Sequence, residues 1–266
     1  MSNPNLLLAA ARQERGDAPA ITWYGADRTR IELSYATLAN AVAKTAGFLQ
    51  EELELEPGDS LRLQLGSHWQ TPVWISACAA VGLAVDLRST ADHSAAPLVS
   101  FSLTSLSQSP SAAPVLVSAN PFGLPGDAPP DGIVDHAREV MLFPDVFVPE
   151  PDVHATFAIR DDVGHYGVEE VANLSSQSQR RCHLAAGTPT VTMALPETRA
   201  GWLTAWALPI FLGTHAVLCP PDLNQPTETK TLADVLQQED AATIVTSATD
   251  RNQYADLAVS VCVIEQ

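Results

Sequence analysis

The sequence is poor in lysine. Only Lys44 and Lys230 occur in its 266 residues, so twelve of its fourteen Lys and Arg side chains are arginines. These cations face 31 carboxylates, which gives a formal charge of -17 at pH 7. Nucleic acids and anionic membrane surfaces are bound through clustered cations, so we expect neither as a partner. The carboxylates are spread along the chain, a pattern typical of a surface that keeps a protein soluble.

Cysteine is also sparse. Cys78, Cys182, Cys219 and Cys262 lie far apart, and no C-x-x-C occurs. Three of them lie in apolar runs, which favours reduced core cysteines over disulfides or zinc ligands. Cys182 and His183 are adjacent, a spacing that does not suit tetrahedral zinc. The N-terminal segment has an apolar run but no basic region, so it is a poor signal peptide and we predict a cytoplasmic location.

The short motifs that usually reveal chemistry are missing. The sequence contains no G-x-S-x-G, H-E-x-x-H, G-x-G-x-x-G or G-x-x-x-x-G-K-[ST]. These motifs mark an exposed nucleophile, a zinc centre and two kinds of phosphate-binding loop. Their absence does not exclude an enzyme, but it removes the usual positive evidence for one.

One segment has the length and composition of a membrane span. Residues 200–219 are twenty in number and carry no formal charge, and about twenty apolar residues suffice to cross a bilayer. However, Pro209 and Gly213 interrupt the run and no basic cluster flanks it. The pattern favours a buried helix followed by a buried strand, and we expect no membrane partner.

The rest of the chain alternates between strands and helices. A helix over Asn3–Arg15 precedes the strand pair AITWYG and RIELS, and Ser34 is placed to cap the next helix. A strand, a helix ended by Gly82 and the strand LAVDL then form a β-α-β unit, which is typical of a parallel sheet. Further on, HATFAI is predicted as a strand and IVDHAREVML as a short helix with Asp135 and His136 exposed.

The second part of the chain repeats this rhythm. An offset of 131 residues places Tyr166 under Tyr35, Gly213 under Gly82 and Leu218 under Leu87. We therefore predict an α/β protein with two related halves, residues 1–150 and 151–266, each with a mainly parallel sheet.

Two stretches of the first half carry a family resemblance. Ser34, Tyr35 and Leu38 in IELSYATLANAVAKTAGFLQ, then Gly58, Asp59, Gly82 and Leu87 in the following strand-helix-strand segment, match the opening of the adenylate-forming superfamily. The later segment VTMALPETRAGWLTAWALPIFLGTHAVLCP is similar to a second conserved region of that family. The resemblance spans most of residues 6–250, corresponds to the first part of the large N-terminal domain of acyl-CoA synthetases, and suggests a small bacterial group of shortened homologues.

The resemblance implies a phosphate-binding loop that this sequence lacks. In the family, a Ser/Thr/Gly-rich run ending in Pro-Lys-Gly follows a strand, and its amides and lysine hold the phosphates of ATP. Here HATFAI is followed by RDDVGHYGVEEVANL, which contains no lysine, serine or threonine. At 4 Å and an effective dielectric of 20, two like charges repel by about 4 kcal/mol, so Asp161 and Asp162 oppose a bound phosphate.

The family's other catalytic parts have no counterpart in this sequence. They comprise a Tyr-Gly-x-Thr-Glu strand, a ribose-binding aspartate and a C-terminal domain with the adenylation lysine. Arg199 and Ala200 stand near the place of a histidine often found in the family. The resemblance therefore implies a truncated AMP-binding-enzyme-like domain, and we do not expect adenylate-forming activity.

A cluster of titratable residues in the same stretch has two interpretations. Asp161, Asp162, His165, Glu169 and Glu170 include the ligand types that bind divalent cations. Alternatively, an aspartate caps the turn, Gly164 allows it, and the glutamates complement the N-terminal dipole of the next helix. We favour the second interpretation.

Four tryptophans recur at related positions of the two halves. Trp202 and Trp206 are four residues apart, and Trp69 and Trp74 occupy the corresponding region of the first half. Such a stripe is more often core than a ligand platform. Any that are exposed would mark a partner surface.

The sequence as a whole favours a non-catalytic binding, scaffolding or regulatory protein. We predict no catalytic, cofactor-binding or metal-binding residues, and the expected partner is an unknown protein or a second copy of the chain. The alternative is a small-molecule binder or atypical enzyme that uses a residual pocket between the two halves.

Overall fold

The computed structural model describes residues 3–27, 29–88, 96–108, 113–219, 232–246, 254, 257 and 259–264. The helices of these parts are α1 Pro4–Arg15, α2 Tyr35–Gly47, α3 Gln70–Val81, α4 Leu103–Gln108, α5 His136–Glu139, α6 Val168–Cys182, α7 Arg199–Trp202, α8 Leu208–Leu212 and α9 Leu232–Gln238. The strands are β1 Pro19–Tyr24, β2 Arg30–Ser34, β3 Ser60–Gln64, β4 Ala84–Asp86, β5 Leu98–Ser100, β6 Pro114–Leu116, β7 Val134–Asp135, β8 Ala158–Arg160, β9 His165–Gly167, β10 Pro189–Thr192, β11 His215–Leu218, β12 Thr243–Thr246 and β13 Ser260–Val263.

Local sequence signals set the ends of several helices. The Asn3 side chain accepts hydrogen bonds from the amides of Asn5 and Leu6 and so caps α1, while the Ser34 hydroxyl accepts the amide of Thr37 at the start of α2. Gly82 and Gly213 end α3 and α8 in the left-handed conformation, with φ of 84° and 69°. Glycine adopts this conformation at no steric cost. The equivalence of Gly82 and Gly213 predicted by the 131-residue offset is therefore matched by the same role in the fold.

The strands form two mainly parallel sheets, as predicted. The first sheet has the order β7-β6-β5-β3-β4-β8-β9, and the second has the order β13-β12-β10-β11-β1-β2. Only the edge hairpins β1–β2 and β8–β9 pair in the antiparallel sense among the described strands.

The two sheets exchange these hairpins. Strand β1, from the start of the chain, pairs with β11 of the second sheet, while β8, which follows residue 150, pairs with β4 of the first sheet. Each of the predicted halves, residues 1–150 and 151–266, thus contributes a hairpin to the sheet of the other. The division into halves stays a prediction, because the sheets alone do not separate the chain at residue 150.

Hydrogen bonds secure both exchanges at equivalent helix ends. Arg15 donates from Nη1 to the carbonyl oxygen of Gly213 at 3.0 Å, and Thr156 donates from Oγ1 to that of Gly82 at 2.8 Å. The buried hydroxyl of Tyr35 lies 3.0 Å from the carbonyl oxygen of Pro209. Carbonyls at helix C-termini lack intrahelical partners; those of Gly82 and Gly213 accept a backbone amide, of Gly58 and Gly187 respectively, in addition to the side-chain donor.

The helices at the centre are buried on all sides. Every residue of α3 is buried, as are nearly all residues of α7, of the π-helical turn Leu203–Ala207 and of α8. The predicted buried helix and strand over residues 200–219 are confirmed. No helix in the described ranges is both long and apolar enough to span a membrane.

The tryptophan stripe belongs to the core, as predicted. Trp74, Trp202 and Trp206 are at most 1% exposed, and Trp69 is half-buried against the same core. Trp206 donates from Nε1 to Ser76 Oγ at 2.9 Å, which joins the central helices of the two halves.

Two sequence predictions about single residues are wrong. Cys182 and Cys262 form a disulfide, with their Cα atoms 5.6 Å apart, because the end of α6 lies beside β13; their separation of 80 residues gave no sign of this. Cys78 and Cys219 are buried thiols, as expected. His136 is buried against the rings of Phe48 and Trp74 and is not exposed.

The exchanged hairpins predict that the two sheets unfold together. Loss of one half removes an edge hairpin from the sheet of the other, so neither sheet is complete alone. Urea unfolding followed by tryptophan fluorescence and by far-UV circular dichroism is expected to give one coincident transition. Two separate transitions would contradict this coupling.

Candidate functional site

The stretch at the place of the family's phosphate-binding loop forms a tight hairpin. Strand β8 ends at Arg160 and β9 begins at His165, and the two pair with Ile159 opposite Tyr166. Only residues 161–164 connect them, and the amide of Asp161 donates to the carbonyl oxygen of Gly164 at 3.1 Å. The predicted strand HATFAI, residues 154–159, is observed only as the shorter strand Ala158–Arg160. The predicted helix begins at Val168 instead of Tyr166, because residues 165–167 pair as a strand.

The carboxylate of Asp161 is the centre of this hairpin. It is 2% exposed. Its Oδ1 accepts the amides of Val163 and Gly164 at 2.9 and 2.8 Å, and its Oδ2 accepts the indole Nε1–H of Trp202 at 2.9 Å. A carboxylate that accepts backbone amides at a turn does so through charge-assisted hydrogen bonds. Asp161 thus fills the concave side of its own loop.

The remaining titratable residues of the stretch do not join Asp161. The Glu170 carboxylate accepts the amide of Gly167 at 2.8 Å and caps α6, while Asp162, His165 and Glu169 are exposed. In the described parts of the chain, no three His, Cys, Asp or Glu side chains are placed to hold a metal ion. The interpretation as a turn and a helix start accounts for Asp161 and Glu170.

Tyr166 and Arg199 cover the outer side of the hairpin. Arg199 donates from Nη2 to the Tyr166 hydroxyl at 2.5 Å, and its guanidinium carbon lies 5.1 Å from the centre of the Tyr166 ring. The Tyr166 ring is 5.4 Å from that of Trp202. Gly164 is closely enclosed, since a Cβ there would lie 2.7 Å from the Tyr166 hydroxyl oxygen. Arg199, which stands near the place of the family's histidine, thus binds the hydroxyl and packs on the ring of Tyr166.

The partners of Asp161 could not be deduced from the sequence. Trp202 was predicted as core, and Asp161 was one of two aspartates suited to cap the turn. Their contact depends on α7 of the second half lying against a hairpin of the first sheet, which only the exchange of hairpins produces. The one available signal was the pair of tryptophans in the uncharged segment 200–219, because a buried indole N–H needs an acceptor.

A cavity of about 240 Å³ lies between the two halves. Its walls include Leu65 and Gly66, after β3, and Pro196 and Glu197, after β10. These two pairs are themselves related by the 131-residue offset. The cavity therefore lies beyond the carboxyl ends of strands from both sheets, the place where parallel sheets commonly hold ligands.

Arg88 supplies a positive charge in the wall of this cavity. Its guanidinium binds the buried carboxylate of Asp86 through Nε and Nη2, at 2.9 and 2.6 Å. Burial alone would raise the pKa of Asp86, but the side-chain and backbone hydrogen bonds from Arg88 outweigh it and lower that pKa. The Arg88 side chain is 43% exposed.

Comparison with solved structures places the fold among acyl-CoA synthetases. The chain superposes on an acyl-CoA synthetase of Brucella canis with a TM-score of 0.75 and 16% identity, over 94% of this chain and 48% of that one. It superposes on the acetoacetyl-CoA synthetase of Streptomyces lividans with the same TM-score and 17% identity, over 97% of this chain and 44% of the other. The fold is that of part of the N-terminal domain of acyl-CoA synthetases, which confirms the predicted fold class.

One curated relative has a higher sequence identity to this chain than these two structures. A protein of Mycobacterium tuberculosis (strain ATCC 25618 / H37Rv), described as a TIGR03089 family protein, is 36% identical over 141 residues. The match covers 50% of this chain and 56% of that protein, so it spans about half the length of each. No family model matches the sequence.

The Asp161 contacts predict a specific loss of stability. In Asp161→Asn, an NH₂ group replaces one of the two carboxylate oxygens. This group is a donor and faces either the Trp202 indole N–H or the two backbone amides, so at least one buried donor loses its acceptor. We expect the free energy of unfolding to fall by about 3 kcal/mol. Urea unfolding measures this change.

Asp162→Asn is the matched control for this substitution. It removes the same charge from the neighbouring position, where the side chain is exposed, and is expected to change stability by no more than about 0.5 kcal/mol. Equal effects of the two substitutions would show that the buried hydrogen bonds of Asp161 do not stabilise the hairpin.

Proposed function

We propose that this chain is a non-catalytic, acyl-CoA-synthetase-like protein that acts in binding, scaffolding or regulation. The hydrogen bonds of Asp161 carry the proposal. The fold supports common ancestry with acyl-CoA synthetases, while the hairpin at the expected phosphate loop has a different chemistry.

Three amides of this hairpin are already occupied. A phosphate-binding loop works by directing free backbone N–H groups toward the anion. Here the amides of Val163 and Gly164 donate to Asp161, and the amide of Asp161 donates to Gly164. A phosphate would have to displace an internal carboxylate that also binds the Trp202 indole.

The charges around the hairpin also oppose the binding of phosphate. Asp161 and Asp162 place two carboxylates where the family has small polar residues and a lysine. Lys44 lies on α2 and is bound to the carbonyl oxygen of Phe143 at 2.7 Å and to Asp145 at 3.0 Å. Lys230 lies outside the described residues, so no lysine of the described chain supports phosphate binding at the hairpin.

The proposal predicts no stabilisation by nucleotide. Ligand at 100 times its dissociation constant stabilises a protein by about 2.7 kcal/mol. We expect millimolar ATP or AMP, with and without magnesium, to leave the melting temperature unchanged. A rise of several degrees with either nucleotide would contradict the proposal.

The cavity between the halves favours a second candidate function, the binding of a small molecule. Its position beyond the strand ends and the exposed part of Arg88 are suited to a compound with a small anionic or polar group. The same thermal screen with CoA and short carboxylic acids tests this candidate. Stabilisation that is lost in Arg88→Gln but kept in Arg138→Gln, which alters an exposed arginine elsewhere, would favour it over the first.

A protein partner is proposed for a groove at the surface. The groove lies between α1, α2 and residues 145–152, and its apolar side chains Leu6, Val146 and Val148 are 68%, 65% and 82% exposed. Exposed apolar side chains gathered in one groove are typical of an interaction surface. The occupant is a second copy of the chain or a different protein.

Light scattering separates these two occupants. For a second copy, the measured mass exceeds that of one chain and rises with salt, because salt screens the repulsion between two chains of charge -17. Val148→Glu is expected to lower that mass. Val163→Glu, an exposed valine of the hairpin, is the control and should not. A monomer at every concentration contradicts self-association and leaves a different protein as the proposed occupant.

A further inference from the structure

Two surface segments of the first half present large apolar side chains to solvent. Phe122 and Leu124, in the loop after β6, are 70% and 58% exposed. Met141 and Leu142, in the 3₁₀ turn that follows α5, are 68% and 78% exposed. Phe122 and Met141 line the same cavity, so the two segments adjoin. These residues form what we call the Phe122 patch, and exposed apolar side chains gathered in this way are typical of an interaction surface.

Hydrogen bonds hold the loop that carries Phe122 and Leu124. The indole Nε1 of Trp69 donates to the carbonyl oxygen of Pro121 at 2.9 Å, which fixes the loop to the start of α3. Within the loop, the hydroxyl of Ser118 donates to the carbonyl oxygen of Leu124 at 2.5 Å. A surface that is ordered before a partner arrives loses less conformational entropy on binding. The loop therefore presents its apolar side chains in a form prepared for contact.

A cavity of about 170 Å³ lies within the patch. Phe122 and Met141 line it, together with Ala41 of α2 and the buried ring of Trp74. Since Phe122 and Met141 are also exposed, the cavity can be reached from solvent. A cavity of about 150 Å³ holds benzene, so this one has room for a phenyl ring or a leucine side chain. Protein partners are commonly anchored by one large apolar side chain in such a pocket.

The chain around the patch is strongly acidic. Residues 120–145 contain five carboxylates and one arginine, a formal net charge of -4. Arg138 is bound to Asp135 at 2.8 Å, and Lys44 of α2 is bound to Asp145 at 3.0 Å. The other three carboxylates form no ion pair within the described parts of the chain: Asp127, Asp131 and Glu139. The carboxylates beside the apolar side chains therefore suit a partner that carries lysine or arginine.

A second copy of the chain does not suit this surface. Its own Phe122 patch has the same negative charge, and two such patches facing each other repel. The rest of a second copy is also unsuitable, because the whole chain has a formal charge of -17. The charge of the patch thus favours a different protein.

We propose that the Phe122 patch binds a cationic, amphipathic segment of another protein. One large apolar side chain of that segment enters the cavity, and lysines or arginines beside it face Asp127, Asp131 and Glu139. A buried apolar anchor within a polar rim is a common arrangement at protein interfaces. The inference rests on the proposed role in binding, for which it gives the chemistry of a partner, and it concerns a different surface from the groove at α1 and α2.

A synthetic amphipathic peptide, with leucine and phenylalanine on one helical face and lysine on the other, is the probe. We expect the fluorescein-labelled peptide to bind the wild-type chain in fluorescence anisotropy, with an affinity that falls as salt is added. The same peptide with glutamate in place of each lysine should not bind. Failure of the lysine peptide to bind, or equal binding of the two peptides, would overturn the proposal.

Two substitutions separate the patch from a general attraction between a cationic peptide and an acidic protein. Met141→Glu adds a negative charge, which would strengthen a purely electrostatic attraction. Because it also removes an apolar contact, we expect the affinity to fall about tenfold. Ala41→Met fills the cavity without a change of charge and should weaken binding by a similar factor. Val163→Glu, which changes an exposed valine of the β8–β9 hairpin, is the matched control and should not weaken binding.

Unchanged or tighter binding of the lysine peptide to Met141→Glu or to Ala41→Met would overturn the proposal. Nucleotide takes no part in this experiment, so its failure leaves the test of the proposed function with ATP and AMP unaffected. Stabilisation by nucleotide would contradict the proposed function without changing the result expected for the peptide.

Discussion

The exchange of edge hairpins between the two sheets is the constraint on which the rest of the structure depends. Because β1–β2 completes the second sheet and β8–β9 completes the first, each half must contact the other along its central helices. Arg15 and Thr156 donate to the carbonyls of Gly213 and Gly82 at the two equivalent helix ends. The same arrangement brings Trp202 of α7 within hydrogen-bond distance of Asp161.

That contact is the reason why we propose a different function for a chain with the fold of an acyl-CoA synthetase. Asp161 supplies, from within the protein, the negative group that a phosphate-binding loop takes from its ligand. Two of its three acceptor contacts occupy the hairpin amides of Val163 and Gly164. The proposed function therefore depends on this site and not on the fold.

Much of the fold could be predicted because its signals are local. Asn3 and Ser34 cap helices, Gly82 and Gly213 end them, and alternation of strands with helices indicates parallel sheets. The offset of 131 residues also paired the helix ends correctly. Contacts between distant segments could not be predicted, and they account for the errors: the Cys182–Cys262 disulfide and the burial of His136 both depend on which elements become neighbours.

The sequence predicted the charge of the candidate site but not the arrangement of its side chains. The absence of lysine and the presence of Asp161 and Asp162 were visible in the sequence, and so was the capping capacity of an aspartate at a turn. The sequence could not distinguish the two aspartates, since only the pairing of β8 with β9 buries the first and exposes the second.

The state of the Val163 and Gly164 amides during titration with ATP and magnesium tests the central claim most directly. Nuclear magnetic resonance resolves these two N–H groups individually and reports both their chemical shifts and their exchange with solvent. If Asp161 occupies them, their resonances stay in place and their protection from exchange is unchanged at millimolar nucleotide. Shifts of both amides that saturate with ATP would show that the hairpin still binds phosphate and would contradict the account.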